Sequence, residues 1–476
     1  MISNMLWRLF ERTGAQIVST VVSIILARLL LPSDYGTIAL VTVFLNIMQV
    51  FIDSGLGTAL IQKKEPDDLD YSTVFFFNLF VCVILYLLMF YLAPFIALLY
   101  ENPSLILLIR VISLTLIISG LKNIQQAYVS KNMLFKKFFF ATIGGTIASA
   151  ILGVYLAYHG FGVWSLVVQQ LSNSFIDTLI LWFTVRWRPK FIFSIQRLKS
   201  LYSFGWKLLL SSLLGTLYNN VRGLIIGKKY SSQDLAFYNQ GEKFPKLIVT
   251  NINSSIDSVL LPTLVSRKDK SSLLKVTMKK AIVISTYVMA PVMIGLAACA
   301  DLIIELILTE KWLMCAPYLR IFCVSYLFWP IHTANLNAIN AIGRSDVFLK
   351  LEIIKKVFGC TVLIVCMEIS PLAIAWGVLV SDLIDLIINS WPNRKLAQYS
   401  LFNQMKDILP SILLAVGMGI IVYLIGFLPI PTLPLLLIQV ACGGAIYIVG
   451  SALLKLEPYE YLIGIIKPMI QNRRKV

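Results

Sequence analysis

Charge is what this chain has least of. Asp, Glu, Lys and Arg make up 14% of its 476 residues, against roughly a quarter in a soluble globular domain, while 58% are hydrophobic. So much apolar side chain cannot be hidden in a core surrounded by water. Histidine is nearly absent, with only His159 and His332, which excludes a His/Cys zinc cluster. Walker-type phosphate loops and Gly-x-Ser-x-Gly elbows are missing too. The seven cysteines fall in or beside apolar runs without metal-type pairing and read as small buried apolar residues. We therefore expect no catalytic centre, no metal and no cofactor. No basic helix interleaved with base-stacking aromatics lies outside the apolar runs, so the net charge of +17 does not point to nucleic acid.

What is present is hydrophobic length. Runs of about 20 residues, such as Ile17 to Leu31, Val74 to Leu99 and Ile408 to Leu428, match the span of a bilayer core as helix. Glu11 and Arg12 precede a full-length first run with no small-residue cleavage site, so that run is expected to stay as a helix rather than be removed as a signal peptide. The fold class is an all-α polytopic membrane protein with about fourteen spans, starting near Arg8, Tyr35, Ser72, Ser104, Phe138, Phe161, Tyr202, Ser232, Val276, Met314, Val347, Pro371, Lys406 and Thr432. With the N-terminus in the cytoplasm, about 32 of the 41 basic residues fall on the inner side, including the stretch Lys122 to Lys137, as positive-inside orientation demands. Two stretches, Ser194 to Phe204 and Glu457 to Gln471, have the amphipathic character of helices lying on the inner leaflet.

An internal repeat organises the chain. Leu108-Ile-Arg110-Val-Ile-Ser returns as Tyr318-Leu-Arg320-Ile-Phe-Cys, Phe135-Lys-Lys137 as Phe348-Leu-Lys350, and Gly162-Val-Trp164 as Ile374-Ala-Trp376, each at a spacing of roughly 210 residues, or six spans with their loops. Two six-helix lobes with the same orientation are expected, residues 1–190 and 191–400, with two further helices and a basic interfacial tail in 401–476.

Charge inside a span costs about 2.5 to 3.5 kcal/mol per residue at its centre, so each such residue needs water, a partner or a route to the interface. The densest set lies in the seventh and eighth spans: Asn219, Asn220, Arg222, Glu242, Lys243 and Lys246, with Asp257 further on. Glu242 and Lys246 are spaced for an intrahelical pair. One carboxylate cannot neutralise three cations, so Arg222, Lys243 and Lys246 are candidates for holding a phosphate-bearing ligand. Pro245 is placed to kink the eighth span. Polar stripes occur at Gln16, Thr20 and Ser23, at Asn46, Gln49 and Asp53, at Gln170, Asn173 and Asp177, at His332 and Asn335, and at Asp382, Asp385 and Asn389. Any one of them can be an interhelical hydrogen-bond seam; five in both halves favour a hydrated cavity. Asp53, Glu242 and Asp257 are candidates for gating or ion coupling. Arg110 and Arg320 read as anchors near the outer surface.

The stretch Glu11-Arg-Thr-Gly-Ala-Gln16 through Ile25-Leu-Ala-Arg28-Leu-Leu-Leu-Pro32-Ser-Asp34-Tyr-Gly36, followed by Asp53-Ser-Gly-Leu-Gly57-Thr-Ala-Leu-Ile-Gln62, resembles the Wzx-type polysaccharide repeat-unit flippases, exporters for O-antigen, capsule and related polymers. Their superfamily also contains multidrug extruders and the peptidoglycan lipid flippase. The resemblance implies two six-helix bundles around a central cavity gated by helices 1, 2, 7 and 8, and alternating access. It implies a monomer in the bacterial inner membrane with both termini cytoplasmic, whose cargo is an undecaprenyl-pyrophosphate-linked oligosaccharide and whose possible partner is a polysaccharide polymerase. Arg222, Lys243 and Lys246 would then hold pyrophosphate or acidic sugars, and Asn219, Asn220 and Gln16 would bond to hydroxyls. Arginines deep in the first helix, which the peptidoglycan flippases use, have no counterpart between Gln16 and Ser23. The alternatives are a multidrug/cation antiporter of the same superfamily, which would place acidic groups in the cavity, and a membrane-embedded polymerase, which would need a sizeable outer loop.

Overall fold

The computed structural model describes residues 2–53, 55–267 and 270–473. Ser54 of the Asp53–Gln62 stretch and the basic tail at Arg474 and Lys475 lie outside them, as do the side chains of Glu11, Arg12 and Phe204. The described residues divide into two compact units, 1–236 and 237–476. The first holds α1 (Ile2–Leu29), α2 (Pro32–Asp53), α3 (Leu56–Gln62), α4 (Asp68–Leu99), α5 (Leu105–Ile112), α6 (Leu114–Lys131), α7 (Phe135–Tyr158), α8 (Val163–Thr184) and α9 (Ile195–Lys229). A long helix, α10 (Ser232–Val265), crosses the division. The second unit continues with α11 (Ser271–Ala298), α12 (Ala300–Leu308), a 3-10 turn at Glu310–Cys315, α13 (Ala316–Leu327), α14 (Trp329–Ala341), α15 (Ser345–Cys366), α16 (Pro371–Ser390), α17 (Asn393–Leu396), α18 (Leu401–Ile425), α19 (Thr432–Leu453) and α20 (Glu457–Arg473).

Every expected span start falls on or beside a helix. Ten helical stretches among the described residues are long and apolar enough to cross a membrane; the apolar part of α1, Thr13–Leu29, is shorter, and α8, α9 and α15, which carry more polar and charged side chains, also fall outside that set. The packing divides at 236, one long helix later than the 190/191 boundary read from the repeat, because α9 belongs with α2, α3 and α4. Glycine permits that closeness. A Cβ on Gly55, which has φ +71 between α2 and α3, would stand 2.9 Å from the Gly205 carbonyl of α9.

Two sequence expectations are corrected. The stretch from Ser194 to Phe204 is no separate surface helix but runs without a break into α9, with Ser194 as its N-cap. Lys122, taken as the start of an inner loop, lies in the middle of α6. The cluster Lys122, Asn123, Gln125 looks like the end of a span only until its partners are known. Gln125, fully buried, donates to the Trp187 carbonyl at 3.2 Å, and Asn123 and Lys122 reach α2 and α8.

The start of α4 is fixed by a capping box, in which Asp67 accepts from the Asp70 amide at 2.8 Å and Asp70 accepts from the Asp67 amide at 3.1 Å. The segment before α9 is fastened to that same end: the Lys190 and Ser194 amides donate to Ser72 Oγ (3.0 Å) and Thr73 Oγ1 (3.1 Å), and Lys63 and Arg197 pair with Asp70. In the second unit an amide knot ties α14, α17 and α18. Asn335 Nδ2 donates to Gln404 Oε1 (2.8 Å), while Gln404 Nε2 and Asn393 Nδ2 donate to Asn335 Oδ1 (3.0 and 2.9 Å). Asn335 is 0% exposed, so its stripe is an interhelical seam and not a wetted wall.

At two prolines inside helices, Pro94 and Pro291, a side chain from another helix bonds to the carbonyl that the proline leaves open. Pro94 in α4 has no N–H for the Phe90 carbonyl four residues earlier; Arg110 Nε donates there at 3.4 Å, with its guanidinium 4.0 Å from the Phe90 ring centroid. Its repeat mate Arg320 donates to Ala297, in the last turn of α11, also at 3.4 Å. Pro291 similarly frees the Tyr287 carbonyl of α11, and the Tyr447 hydroxyl of α19 donates to it at 2.9 Å. Removing that hydroxyl by Tyr447→Phe should cost about 1 kcal/mol, read as thermal unfolding in detergent. The loss should shrink by half or more in a Pro291→Ala background, where the helix regains its own donor; equal losses in both backgrounds would show that the hydroxyl does not serve the freed carbonyl.

Candidate functional site

The candidate residues are distributed over both units, and each unit builds its own part. In the first unit, α9 presents Asn219, Asn220 and Arg222 within one turn. Asn220 joins α9 to α2, accepting from Asn46 Nδ2 at 3.5 Å while its own amide donates to the Thr216 carbonyl at 2.8 Å. The half-buried Arg222 guanidinium lies 5.3 Å from the Tyr218 ring centroid, a contact that steadies a cation without neutralising it. Gln16 is exposed on α1, where its carbonyl accepts from Thr20 Oγ1 at 2.7 Å; among the described residues its side chain makes no hydrogen bond to the other candidates. Asp53, the last residue of α2, accepts from Gln49 Nε2 and from Asn123 Nδ2, each at 3.2 Å.

In the second unit Glu242 and Lys246 pair across one turn of α10 at 2.9 Å, and the Tyr326 hydroxyl of α13 donates to the same Glu242 oxygen at 2.5 Å. Glu242 is therefore held from two sides, and its charge is spent on Lys246. Lys243, on the neighbouring position of α10, is half-buried. Asp257 accepts from Asn337 Nδ2 of α14 at 2.6 Å, a bond that fixes the C-terminal part of α10 against α14.

Three residues of these networks escaped the sequence reading. Tyr326 has no signal, since a tyrosine in an apolar run reads as core. Asn123 and Lys122 were masked by their likeness to a loop, and Lys122 pairs with Asp177 of α8 at 2.9 Å. Asp177 itself was visible as part of a stripe. Among the described residues no three His, Cys, Asp or Glu side chains gather as a metal site, and the cysteines are free thiols. The groups these networks present are ammonium, guanidinium, amide and carboxylate.

The two bonds to Glu242 differ in value. Tyr326 is buried (7% exposed), and a buried hydroxyl donating to a carboxylate contributes roughly 1.5 to 3 kcal/mol. The Lys246 side chain is 52% exposed, where an i,i+4 pair contributes about 0.3 to 0.5 kcal/mol. Tyr326→Phe should consequently lower thermal stability in detergent more than Lys246→Ala does. The reverse ranking would mean that the lysine, not the tyrosine, positions Glu242.

The likenesses to known proteins agree with this architecture. The chain matches the family model described as "Polysaccharide biosynthesis protein" over residues 25–317. It is 25% identical to the teichuronic acid biosynthesis protein TuaB of Bacillus subtilis over 386 residues, 79% of this chain and 78% of that one. To the lipopolysaccharide biosynthesis protein WzxC of Escherichia coli it is 23% identical over 368 residues, 77% of this chain and 74% of the other. Among solved structures it resembles the lipid II flippase MurJ in an inward closed conformation, with a TM-score of 0.76 at 16% identity, covering 97% of this chain and all of that one. An inward-facing multidrug resistance MATE family transporter of the MOP superfamily follows at a TM-score of 0.62 and 14% identity, over 81% of this chain and 95% of that one. The protein is an all-α polytopic membrane protein with the fold shared by those two transporters, and it belongs to the polysaccharide biosynthesis protein family.

Proposed function

We propose that this protein flips an undecaprenyl-pyrophosphate-linked oligosaccharide from the cytoplasmic to the outer leaflet of a bacterial inner membrane, by alternating access and without enzymatic chemistry of its own. It acts as a monomer with both termini in the cytoplasm and hands its cargo to a polysaccharide polymerase. The observation that carries the reading is membership of the polysaccharide biosynthesis family in a chain whose fold matches a lipid II flippase over 97% of its length. The relatives named above serve teichuronic acid and lipopolysaccharide synthesis, which favours a glycan cargo over a drug or cation.

Within this reading Arg222, Lys243 and Lys246 hold the pyrophosphate, and Asn219, Asn220 and Gln16 bond to hydroxyls. Asp53, Glu242 and Asp257, each tied to a neighbouring helix or side chain, serve gating or ion coupling. A head group with two net negative charges moving outward across an inside-negative membrane gains about 4 to 5 kcal/mol per 100 mV, so the membrane potential alone can favour export.

Mass spectrometry of lipid-linked intermediates tests this in cells lacking the protein. Undecaprenyl-pyrophosphate oligosaccharide should accumulate, and wild type should relieve it. Arg222→Ala/Lys243→Ala should leave at least tenfold more intermediate than wild type does. If nothing accumulates in the deletion strain the cargo is wrong; if the double variant complements fully, the cargo stands and the basic site does not.

A further inference from the structure

Lys122, in the middle of α6, belongs to a second polar assembly in the first unit, distinct from the Asn219–Arg222 turn. Three helices contribute to it. Gln49 and Asp53 stand one turn apart on α2; Lys122 and Asn123 are adjacent on α6; Asn173 and Asp177 stand one turn apart on α8. Two sets of contacts meet on α6. Gln49 and Asn123 both donate to Asp53 at 3.2 Å, and Lys122, next to Asn123 on α6, donates to Asp177 at 2.9 Å. Gly145 of α7 is packed against Asn173 and Asp177: an added Cβ there would come within 3.0 to 3.1 Å of both. The assembly is not sealed. Asp53 and Asn173 are exposed and the Lys122 side chain retains 23% of its surface, and such groups at membrane depth face water rather than lipid.

The composition of the assembly selects its ligand. Two carboxylates flank one ammonium, so the local charge is −1 and a phosphate or uronate would meet repulsion from Asp53 and Asp177. The carboxylates only accept, the ammonium only donates and the three amides do both. A pair of vicinal hydroxyls, each a donor and an acceptor, can use all of these at once, and an amino or acetamido substituent adds a donor for a carboxylate. Gln49, Asn123 and Lys122 already bond to Asp53 and Asp177, so a ligand entering here must offer hydroxyl or amino groups in exchange for those bonds.

We infer that Gln49, Asp53, Lys122, Asn123, Asn173 and Asp177 form a recognition site for a neutral or amino-bearing sugar of the head group, separate from the residues that hold its phosphates. This rests on the flippase reading. Wild-type protein in detergent should be titrated by native mass spectrometry with undecaprenyl pyrophosphate and with the same lipid carrying one N-acetylglucosamine. Wild type should bind the sugar-bearing lipid at least fivefold more tightly. Asn123→Ala, and the charge-balanced Lys122→Ala/Asp177→Ala, should reduce that preference to less than twofold while affinity for the sugar-free lipid stays within twofold of wild type. If the variants weaken both lipids alike, or if wild type binds the two lipids equally, the sugar site falls and the flippase reading stands. If wild type binds neither lipid, the flippase reading falls and takes this inference with it.

Discussion

Hydrocarbon offers a backbone N–H or C=O nothing to bond to, and that constraint governs this molecule more than any side-chain preference does. Helices meet it by default, so the interesting places are where a helix cannot. Pro94 and Pro291 each open a gap in a membrane-spanning ladder, and in both cases a side chain from another helix fills it: the Arg110 guanidinium in one, the Tyr447 hydroxyl in the other. A cation that would be costly in lipid thus becomes the remedy for a second costly feature, the freed carbonyl. Arg320 does the same for the end of α11.

The same economy extends to charge. Lys122 is matched by Asp177, Lys246 by Glu242, and Arg197 and Lys63 by Asp70. Where carboxylate and amide groups remain exposed within the helical bundle, as at Asp53 and Asn173, they are open to water. Where they are wholly buried, as at Asn335 and Gln404, they bind helices together and have no cargo to meet. Polarity in a span therefore carries two messages, and only the partners distinguish them.

That ambiguity explains what could and could not be read from the residues alone. The spans were legible because apolar length is a property of the chain itself, and the repeat was legible because Arg110 and Arg320 recur with their neighbours. The Glu242–Lys246 pair followed from a spacing of four on one helix. Lys122 did not, because its partner lies 55 residues away on α8, and a lysine followed by amides is indistinguishable in sequence from the end of a span. The His332 and Asn335 stripe could be read either way, because periodicity places side chains on one face of a helix but does not say whether that face meets water or another helix; its partners show the interhelical seam. The continuity of α9 was hidden because an amphipathic opening and a polar span look like two elements.

The hydroxyl of Tyr447 has a bearing on ancestry as well as stability. The repeat accounts for about twelve spans, and α19 lies beyond them, yet α19 completes a ladder broken within the repeated part of the chain. The pair therefore is not an ornament added to a self-sufficient core: a chain ending near residue 400 would leave a bare carbonyl inside the bilayer at Tyr287. Any shorter ancestor must have closed that gap differently, or have had no proline at position 291.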